Sequence, residues 1–469
     1  MNFRRNVFVL GAMACIGMAV AGTVRPKYVF VFIGDGMSTP QRMVGEEFAV
    51  KTGHGPLVMN TLPYQATTRT KSANTIITDS AAAATAIACG RKTNNSMLGM
   101  TPDGERLTSC AEVAKAAGLK VGIITTVTIV HATPAGFYAH RRSRGASYQI
   151  ALDLIASGFD YFAGGGVYDK FDDRKDPEYR GNVFDLARQA GYVIATNKAE
   201  WAALKPGTKS WSIFANYALE FAIDADGRQP TLAEMLKKGV DVLDGPDGFF
   251  IMCEGGKVDY ACHANDAATN LHDILALDDA VKVALAFLDK HPAETLVIVT
   301  GDHETGGLSM GFAGTGGKFK VEHLVHQKCS TEKFSQEVKT LLRNNPDYTF
   351  EDMQTLLSKK FGFVFDGPAD DPMKLSAAEV DDLKKALEAD RSNVKRRLSD
   401  TTAHDVVRKY IFGRTACRIM AVHAGVGWSS YSHTALPTLT TAAGCSADIL
   451  IGMTENVDIG VRLKKLFGQ

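Results

Sequence analysis

The sequence lacks an excess of charge of either sign. Lysine and arginine total 52, and aspartate and glutamate also total 52. Binding to nucleic acid or to acidic membranes through a general electrostatic field requires a strongly basic protein. The balance excludes that mode of binding, so we expect no specific nucleic-acid partner. Any attraction for an anionic substrate must be local, as metal ions can provide.

Closely spaced cysteine pairs are also absent. The chain has eight cysteines and no Cys-x-x-Cys motif. If Cys15 is removed with the N-terminal segment described below, seven remain, and in an oxidising compartment they could form one to three disulfides with at least one free thiol. Cys262 lies near candidate metal ligands, but we interpret it as a small buried residue because the harder ligands around it suffice.

Long apolar runs are absent except at the N-terminus. Arg4 and Arg5 precede an apolar run at 7–20, and Ala19-Val20-Ala21 matches an A-x-A cleavage site. We therefore predict a signal peptide at 1–21 and a periplasmic or secreted mature chain at 22–469 without a transmembrane anchor. A lipoprotein modified at Cys15 is the alternative, although Ala12 stands where a lipobox usually has leucine.

What the sequence does contain is a repeated pattern of apolar runs followed at once by polar residues. Such runs are typical of buried parallel strands, whose carboxyl ends form the binding edge of an α/β sheet. The pattern predicts an α/β fold, a three-layer sandwich with a largely parallel central sheet. The runs and their polar residues are 28–33 with Asp35, 121–127 with His131 and Thr133, 248–253 with Glu254, and 295–300 with Asp302 and His303.

One further stretch combines a short apolar run, an acid, a serine and an alanine series. We interpret 76–78 as a strand, Ser80 as a helix N-cap, and 81–88 as a helix that ends before Gly90. A serine at a helix N-terminus lies among free N–H groups that suit an anion. Taken alone, the stretch is compatible with a simple cap or with a nucleophile.

Two other features suggest phosphate and metal chemistry. Asp259 and His263 are spaced i, i+4, so on a helix both would point to one face and could bind one metal ion. Arg144 follows the second apolar run in a loop, where its guanidinium could bind phosphate through two hydrogen bonds.

The segment at about 314–428 has a different character. It contains amphipathic helical patterns at 332–342, 350–360 and 376–398, with acids and bases interspersed. We predict a helical insertion into a single catalytic domain and expect it to lie away from the chemistry. A helical insertion can also cover a site or form a contact between subunits, and those alternatives stay open. After it, we predict a strand at 448–451 and a helix at 456–467.

Together these elements resemble the alkaline phosphatase family over nearly the whole mature chain. The most specific match is Ile77-x-Asp79-Ser80-Ala-Ala-Ala-Ala-Thr85, the family's nucleophile signature. The other matches occur in the family's order. They are Gly34-Asp35-Gly36, His131-Ala-Thr133-Pro134 with Arg144 downstream, Glu254 with Asp259 and His263, Asp302-His303, and His433-Thr434.

The resemblance implies hydrolysis of phosphate monoesters through a phosphoserine intermediate on Ser80, with Arg144 binding two phosphate oxygens and Asp79 orienting Arg144. It also implies two Zn²⁺ ions, one Mg²⁺ ion and a homodimer. The implied ligand sets are Asp259, His263 and His433 for one zinc, Asp35, Asp302 and His303 for the second, and Thr133, Glu254 and the bridging Asp35 for magnesium.

Two positions depart from the best-known bacterial members of that family, which carry Asp and Lys where this chain has His131 and Tyr260. His131 is expected to weaken the preference for magnesium or to admit zinc at the third site. Tyr260 replaces a cation near the phosphate, and we hypothesise that this change trades phosphate affinity for faster product release.

The sequence disfavours three rival functions. Sulfatases need a C/S-x-P-x-R context, which Ser80-Ala-Ala-Ala lacks. Phosphodiesterases of the same superfamily tend to use threonine and lack an equivalent of Arg144, so they are disfavoured. A non-catalytic phosphate- or metal-binding protein is disfavoured by the presence of both Ser80 and Arg144.

Overall fold

A computed structural model describes residues 24–168, 170–345, 347–396 and 403–469, with side chains omitted at 403–405. The predicted signal peptide and Cys15 lie outside the described residues. Within the described ranges, no helix has the length and apolar character needed to cross a bilayer. The seven cysteines from Cys89 to Cys445 are free thiols.

The described residues form fourteen strands. They are β1 (Tyr28–Gly34), β2 (Tyr64–Arg69), β3 (Lys120–Thr128), β4 (Tyr161–Gly165), β5 (Val193–Ala195), β6 (Ser210–Ile213), β7 (Phe249–Gly255), β8 (Thr295–Gly301), β9 (Glu304–Thr305), β10 (Leu308–Met310), β11 (Val426–Trp428), β12 (His433–Thr434), β13 (Thr438–Gly444) and β14 (Gly452–Glu455).

Ten of these strands form one sheet in the order β14-β2-β13-β8-β1-β7-β3-β4-β6-β5, and the pairs β10-β11 and β12-β9 form two small sheets. All neighbours in the ten-stranded sheet are parallel except β13, which is antiparallel to both β2 and β8. The predicted α/β class with a largely parallel sheet is confirmed.

Strand β1 shows why helices cover both faces of this sheet. Every residue of β1 is buried, and successive side chains of a strand point to opposite faces. Phe30 and Phe32 belong to one apolar core, whereas Val31 and Ile33 belong to a second. A sheet with an apolar core on each face needs a helical layer on each side, which produces the predicted three-layer sandwich.

Helices alternate with strands over much of the described chain, whereas five consecutive α-helices lie between β10 and β11. Four 3₁₀ helices span Val58–Asn60, Ala222–Asp224, Val321–His326 and Ala447–Ile449. The α-helices are α1 (Thr39–Lys51), α2 (Ser80–Cys89), α3 (Cys110–Ala116), α4 (Ala132–Ala135), α5 (Ser147–Ser157), α6 (Val183–Gln189), α7 (Lys198–Ala202), α8 (Leu232–Leu243), α9 (Lys257–His263), α10 (Ala267–Leu288), α11 (Thr331–Asn344), α12 (Phe350–Phe361), α13 (Ala377–Lys395), α14 (Ala403–Lys409), α15 (Ile411–His423) and α16 (Asn456–Leu466).

Two predicted strands are wrong. Residues 76–78 form no strand, and Ile76 and Ile77 are 67% and 42% exposed, because this short run lies outside the sheet and leads directly into α2. Residues 448 and 449 belong to a 3₁₀ helix that follows Ser446, whose φ is +57°, residues 450 and 451 form no strand, and β14 begins only at Gly452. The following helix, α16, is present as predicted.

The three central strands end in register. Gly34 at the end of β1 pairs with Gly255 of β7 on one side and with Gly301 of β8 on the other. Asp35, Glu254 and Asp302 therefore lie at one edge of the sheet, as the order of apolar runs and acids predicts.

Candidate active site

Helix α2 presents Ser80 at its N-terminus, but Asp79 is the residue that caps the helix. The Asp79 carboxylate accepts a hydrogen bond from the Ala82 N–H at 3.0 Å, and Gly90 ends the helix with φ +69°. The prediction that Ser80 is the cap is wrong, because the helix begins one residue earlier than predicted, at Ser80 itself. Since Asp79 satisfies the helix terminus, the Ser80 hydroxyl is available to the site, where its Oγ lies 3.1 Å from His303 Nε2.

The second oxygen of Asp79 holds Arg144. Asp79 Oδ2 accepts hydrogen bonds from the Ser96 N–H at 3.0 Å and from Arg144 Nη1 at 3.1 Å. Arg144 Nη2 lies 3.1 Å from His131 Nε2. The guanidinium is thus fixed on two sides and lines the same cavity as Ser80, and its role in phosphate binding stays a prediction.

One group of potential metal ligands consists of Asp35, Asp302 and His303, all fully buried. Asp302 Oδ1 accepts hydrogen bonds from the N–H groups of Gly36 and His303 at 3.0 and 2.9 Å. His303 Nε2 lies 3.4 Å from Asp35 Oδ1 and 3.3 Å from Asp302 Oδ2. Three donor atoms therefore converge next to the Ser80 hydroxyl.

A second group consists of Asp259, His263 and His433. Asp259 and His263 lie on α9, as their i, i+4 spacing predicts. The Nδ1 atoms of His263 and His433 lie 2.7 Å and 2.9 Å from the carbonyls of Tyr431 and Thr78. Because each Nδ1 donates to a carbonyl, each Nε2 faces the Asp259 carboxylate, 3.3 Å away for His263 and 3.7 Å for His433. Histidines held in this way are typical of metal sites.

The third group brings His131 next to the carboxylates of Asp35 and Glu254. His131 Nδ1 lies 3.8 Å from Asp35 Oδ2 and 4.0 Å from Glu254 Oε1. Thr133 Oγ1 donates a hydrogen bond to Asp35 Oδ2 at 3.2 Å, so the hydroxyl predicted for this site is present. Sequence reasoning missed Thr125, whose hydroxyl donates to Glu254 from the interior of β3, because no local pattern marks it.

The buried carboxylates make this edge of the sheet a poor place for uncompensated negative charge. Burial, reinforced by neighbouring acids, raises the pKa of Asp35 well above its usual range. Burial also raises the pKa of Glu254 to about 8 and that of Asp302 to about 7. Bound cations would remove this penalty and keep the carboxylates ionised.

The donor atoms fit the expected metals. Buried atoms without a hydrogen-bond partner among the described residues include Asp35 Oδ1, His131 Nδ1, Glu254 Oε1 and Asp302 Oδ2. A bound cation would satisfy such atoms, whereas a purely structural carboxylate cluster would not leave them unpaired. Mixed imidazole and carboxylate sets suit Zn²⁺, and sets rich in carboxylate and hydroxyl oxygen suit Mg²⁺.

A cavity of about 350 Å³ opens over Ser80 and Arg144. Its walls include Tyr260, which sequence reasoning placed near the phosphate, and also Lys257 and Glu332, which it did not select. Lys257 could have been selected as a site residue from the sequence, because it lies in the Glu254–His263 stretch, two residues after the end of β7. Glu332 lies on α11, so the expectation that the segment at about 314–428 stands away from the chemistry is wrong; that segment supplies part of the cavity wall.

Comparisons with known proteins agree with this geometry. The family model described as alkaline phosphatase matches residues 26–468. The alkaline phosphatase of Schizosaccharomyces pombe is 29% identical, over 93% of this chain and 80% of the relative. The cold-active alkaline phosphatase of a psychrophilic Shewanella has a similar structure, with 26% identity, a TM-score of 0.77, and coverage of 94% of this chain and 100% of its own.

A third similar structure is a variant of the alkaline phosphatase from the Antarctic bacterium TAB5, in which aspartate replaces a histidine and Mg is bound in the M3 site. It is 25% identical, covers 95% of this chain and 99% of its own, and has a TM-score of 0.65. The match of the family model over nearly the whole described chain shows that this protein is a phosphomonoesterase of the alkaline phosphatase family.

Proposed function

We propose that the protein hydrolyses phosphate monoesters through a phosphoserine intermediate on Ser80, using two zinc ions and one magnesium ion. The observation that carries the proposal is the position of the Ser80 hydroxyl. It lies at the N-terminus of α2, 3.1 Å from His303, in one cavity with Arg144. A nucleophile at a helix N-terminus attacks where free N–H groups favour negative charge.

The three ligand groups would hold the metal ions. Asp259, His263 and His433 would hold one zinc, and Asp35, Asp302 and His303 the second. The third set would combine Asp35, Glu254 and Thr133, with His131 close enough to act as a further ligand. When bound, such ions supply Lewis acidity that favours deprotonation of hydroxyl groups and stabilises charge on the attacking and leaving oxygens.

The nature of the third ion depends on His131. The TAB5 variant that has Mg bound in the M3 site carries aspartate in place of a histidine. That observation supports the proposal that the third site here takes magnesium. An imidazole nitrogen is a softer donor than a carboxylate oxygen, so His131 would also admit zinc.

The protein's own side chains would bind, orient and react. Arg144 would bind two phosphoryl oxygens, with Asp79 holding the guanidinium in place. Ser80 Oγ would attack phosphorus, so that the Oγ–P bond forms, the bond from phosphorus to the alcohol oxygen breaks, and the alcohol leaves with the proton that the Ser80 hydroxyl gives up. Water would then attack the phosphoserine, so that a bond from the water oxygen to phosphorus forms and the Oγ–P bond breaks. Inorganic phosphate leaves, and one proton of the water returns to Ser80. Because the transition state for phosphoryl transfer is loose, most of the acceleration would come from charge placement.

We also propose that the enzyme is exported, with 1–21 as its signal peptide and 22–469 as one catalytic domain carrying a helical insertion at about 314–428. The apolar N-terminal run and the A-x-A site support export. A homodimer is proposed from the resemblance to the family.

Hydrolysis of a chromogenic phosphomonoester at alkaline pH tests the proposal. The protein should be active after supply of zinc and magnesium and inactive in a chelator, and Ser80→Ala should abolish turnover. Ser392→Ala is a matched control, because Ser392 lies on an exposed part of α13. Activity that survives the chelator or Ser80→Ala would contradict the proposal, and faster hydrolysis of an aryl sulfate or a phosphodiester would favour the rival esterase functions.

A further inference from the structure

A second cavity, of about 310 Å³, adjoins the one that contains Ser80. Tyr260, His263 and Glu332 line both cavities. A substrate whose phosphoryl group lies between Ser80 and Arg144 therefore has space beyond His263 for the rest of the molecule. The second cavity is also lined by Arg408 of α14 and Arg414 of α15, neither of which lines the first.

One wall of this second cavity is a stacked pair. The Arg414 guanidinium lies 4.2 Å from the centre of the Tyr431 ring, a distance typical of a cation–π contact. The Tyr431 carbonyl, in turn, lies 2.7 Å from Nδ1 of His263. Tyr431 thus holds Arg414 in a fixed position relative to a proposed metal ligand, and hence relative to the reacting phosphorus.

Two acids, Glu332 and Asp266, also line the second cavity, but both have other partners among the described residues. Glu332 is close to Lys257, with the two charged atoms 3.4 Å apart. The Asp266 carboxylate accepts hydrogen bonds from Thr269, Thr331 and Gln327. Among the side chains that the structure describes, neither Arg408 nor Arg414 has a carboxylate partner.

We propose that this second cavity binds the alcohol part of the substrate and selects phosphate monoesters whose alcohol carries a second anionic group, either a carboxylate or a second phosphate. The inference rests on the proposed function, because it assumes that the phosphoryl group lies at Ser80. Arginine suits such a group, since its planar fork can donate two hydrogen bonds to one carboxylate or phosphate. A neutral alcohol would gain less from the two arginines, because it has no charge with which to form an ion pair.

Three aryl substrates separate the possibilities. Phenyl phosphate has no second charge, 4-carboxyphenyl phosphate has a carboxylate, and 1,4-phenylene bisphosphate has a second phosphate. Their dissociation constants would be measured by calorimetry on metal-loaded Ser80→Ala protein, which is expected to bind without turnover. The same measurements would be made after adding Arg408→Gln or Arg414→Gln, and kcat/KM would be measured for both single variants in the active enzyme.

Arg418→Gln is the matched control. Arg418 lies one turn after Arg414 on α15 but forms an ion pair with Asp382 at 2.8 Å instead of lining the second cavity. We expect Arg408→Gln and Arg414→Gln each to weaken binding of the substrates with a second charge by about five- to tenfold, and binding of phenyl phosphate by less than about twofold. The anion that loses more affinity is the preferred one. Arg414→Lys, which keeps the charge, should retain part of the preference.

An equal loss for all three substrates, or no loss for any, would overturn the proposal. Wild-type hydrolysis of phenyl phosphate distinguishes this failure from a failure of the proposed function. If phenyl phosphate is hydrolysed without any preference for a second charge, only the subsite is refuted. If no monoester is hydrolysed by the metal-loaded enzyme, the proposed function itself is refuted.

Discussion

Substitution of Asp79 should separate its two structural tasks. Oδ1 caps α2 through Ala82, whereas Oδ2 accepts hydrogen bonds from Ser96 and Arg144. Asparagine is as good an N-cap as aspartate, so Asp79→Asn can keep the cap. The amide nitrogen of the substituted side chain would then point its N–H groups at the Ser96 N–H and the Arg144 guanidinium, which are hydrogen-bond donors themselves. Asp79→Ala loses both tasks.

The expected magnitudes follow from these contacts. Loss of an N-cap costs about 1 kcal/mol of stability. The side chains of Arg144 and Asp79 are 29% and 19% exposed, so solvent screening limits their ion pair to at most about 1 kcal/mol. We therefore expect the free energy of unfolding to fall by about 2 kcal/mol in Asp79→Ala and by about 1 kcal/mol in Asp79→Asn.

Both substitutions should also weaken substrate binding, because Arg144 loses the carboxylate that fixes its guanidinium. We expect KM for a small phosphomonoester to rise about tenfold in both variants, a change of about 1.4 kcal/mol. Denaturant unfolding and steady-state kinetics measure the two effects. Asp185→Asn is the control, since Asp185 forms an exposed ion pair with Arg188 at 2.8 Å. Equal destabilisation of the two Asp79 variants with an unchanged KM would refute this reasoning.

Three further predictions concern the metals, Tyr260 and a remote histidine. A chelator should abolish hydrolysis and lower the calorimetric midpoint of thermal unfolding by at least about 5 °C, because the buried carboxylates lose their countercharges; an unchanged midpoint would contradict this. Tyr260→Lys should tighten inhibition by inorganic phosphate by about threefold or more, since it adds a cation to the cavity wall; an unchanged inhibition constant would refute the product-release hypothesis. A hydrogen bond to Glu379 raises the pKa of His423 above its ordinary value of 6.5. The protonated histidine therefore stabilises the fold fully below pH 6.5, and this stabilisation is lost as the pH rises through the raised pKa of the folded protein. His423→Gln should therefore lower the free energy of unfolding by about 0.5 to 1 kcal/mol near pH 6 and by less near pH 9, and equal losses at both values would contradict the assignment.

The central strands could be predicted because continuous burial leaves a continuous apolar run. The run at 28–33 corresponds to β1, which ends at Gly34, and the run at 295–300 corresponds to β8, which ends at Gly301. These strand predictions also implied that Asp35 and Asp302 lie at one edge of the sheet, because parallel strands present their carboxyl ends together. The structure brings these residues together, and their roles stay predictions.

Two of the wrong predictions, the strand at 76–78 and the cap at Ser80, concern residues whose local sequence pattern fits more than one structure. A three-residue apolar run such as 76–78 is too short for periodicity to distinguish a strand from an exposed loop. The one-residue shift of the cap from Ser80 to Asp79 reflects two adjacent residues that are both good N-caps. Neither error alters the location of Ser80 at the N-terminus of α2.

The residues that were missed have partners distant in sequence. Glu332 is 75 residues from Lys257, which it approaches across the cavity, and no spacing rule connects them. In the sequence, Arg414 has the character of an ordinary surface residue on an amphipathic helix. Only the structure shows that its guanidinium stacks on the Tyr431 ring. Such contacts depend on how α11 and α15 pack against the rest of the protein, which composition and periodicity do not specify.

The chemical state of Ser80 during turnover tests the central claim most directly. The metal-loaded enzyme would be mixed with a phosphomonoester, quenched in acid, digested with a protease and examined by mass spectrometry. We predict a phosphate on Ser80 in the peptide that contains Asp79 and the alanine series, and no such phosphate without substrate. Turnover without a phosphorylated Ser80, or with the phosphate on another residue, would contradict the proposed mechanism.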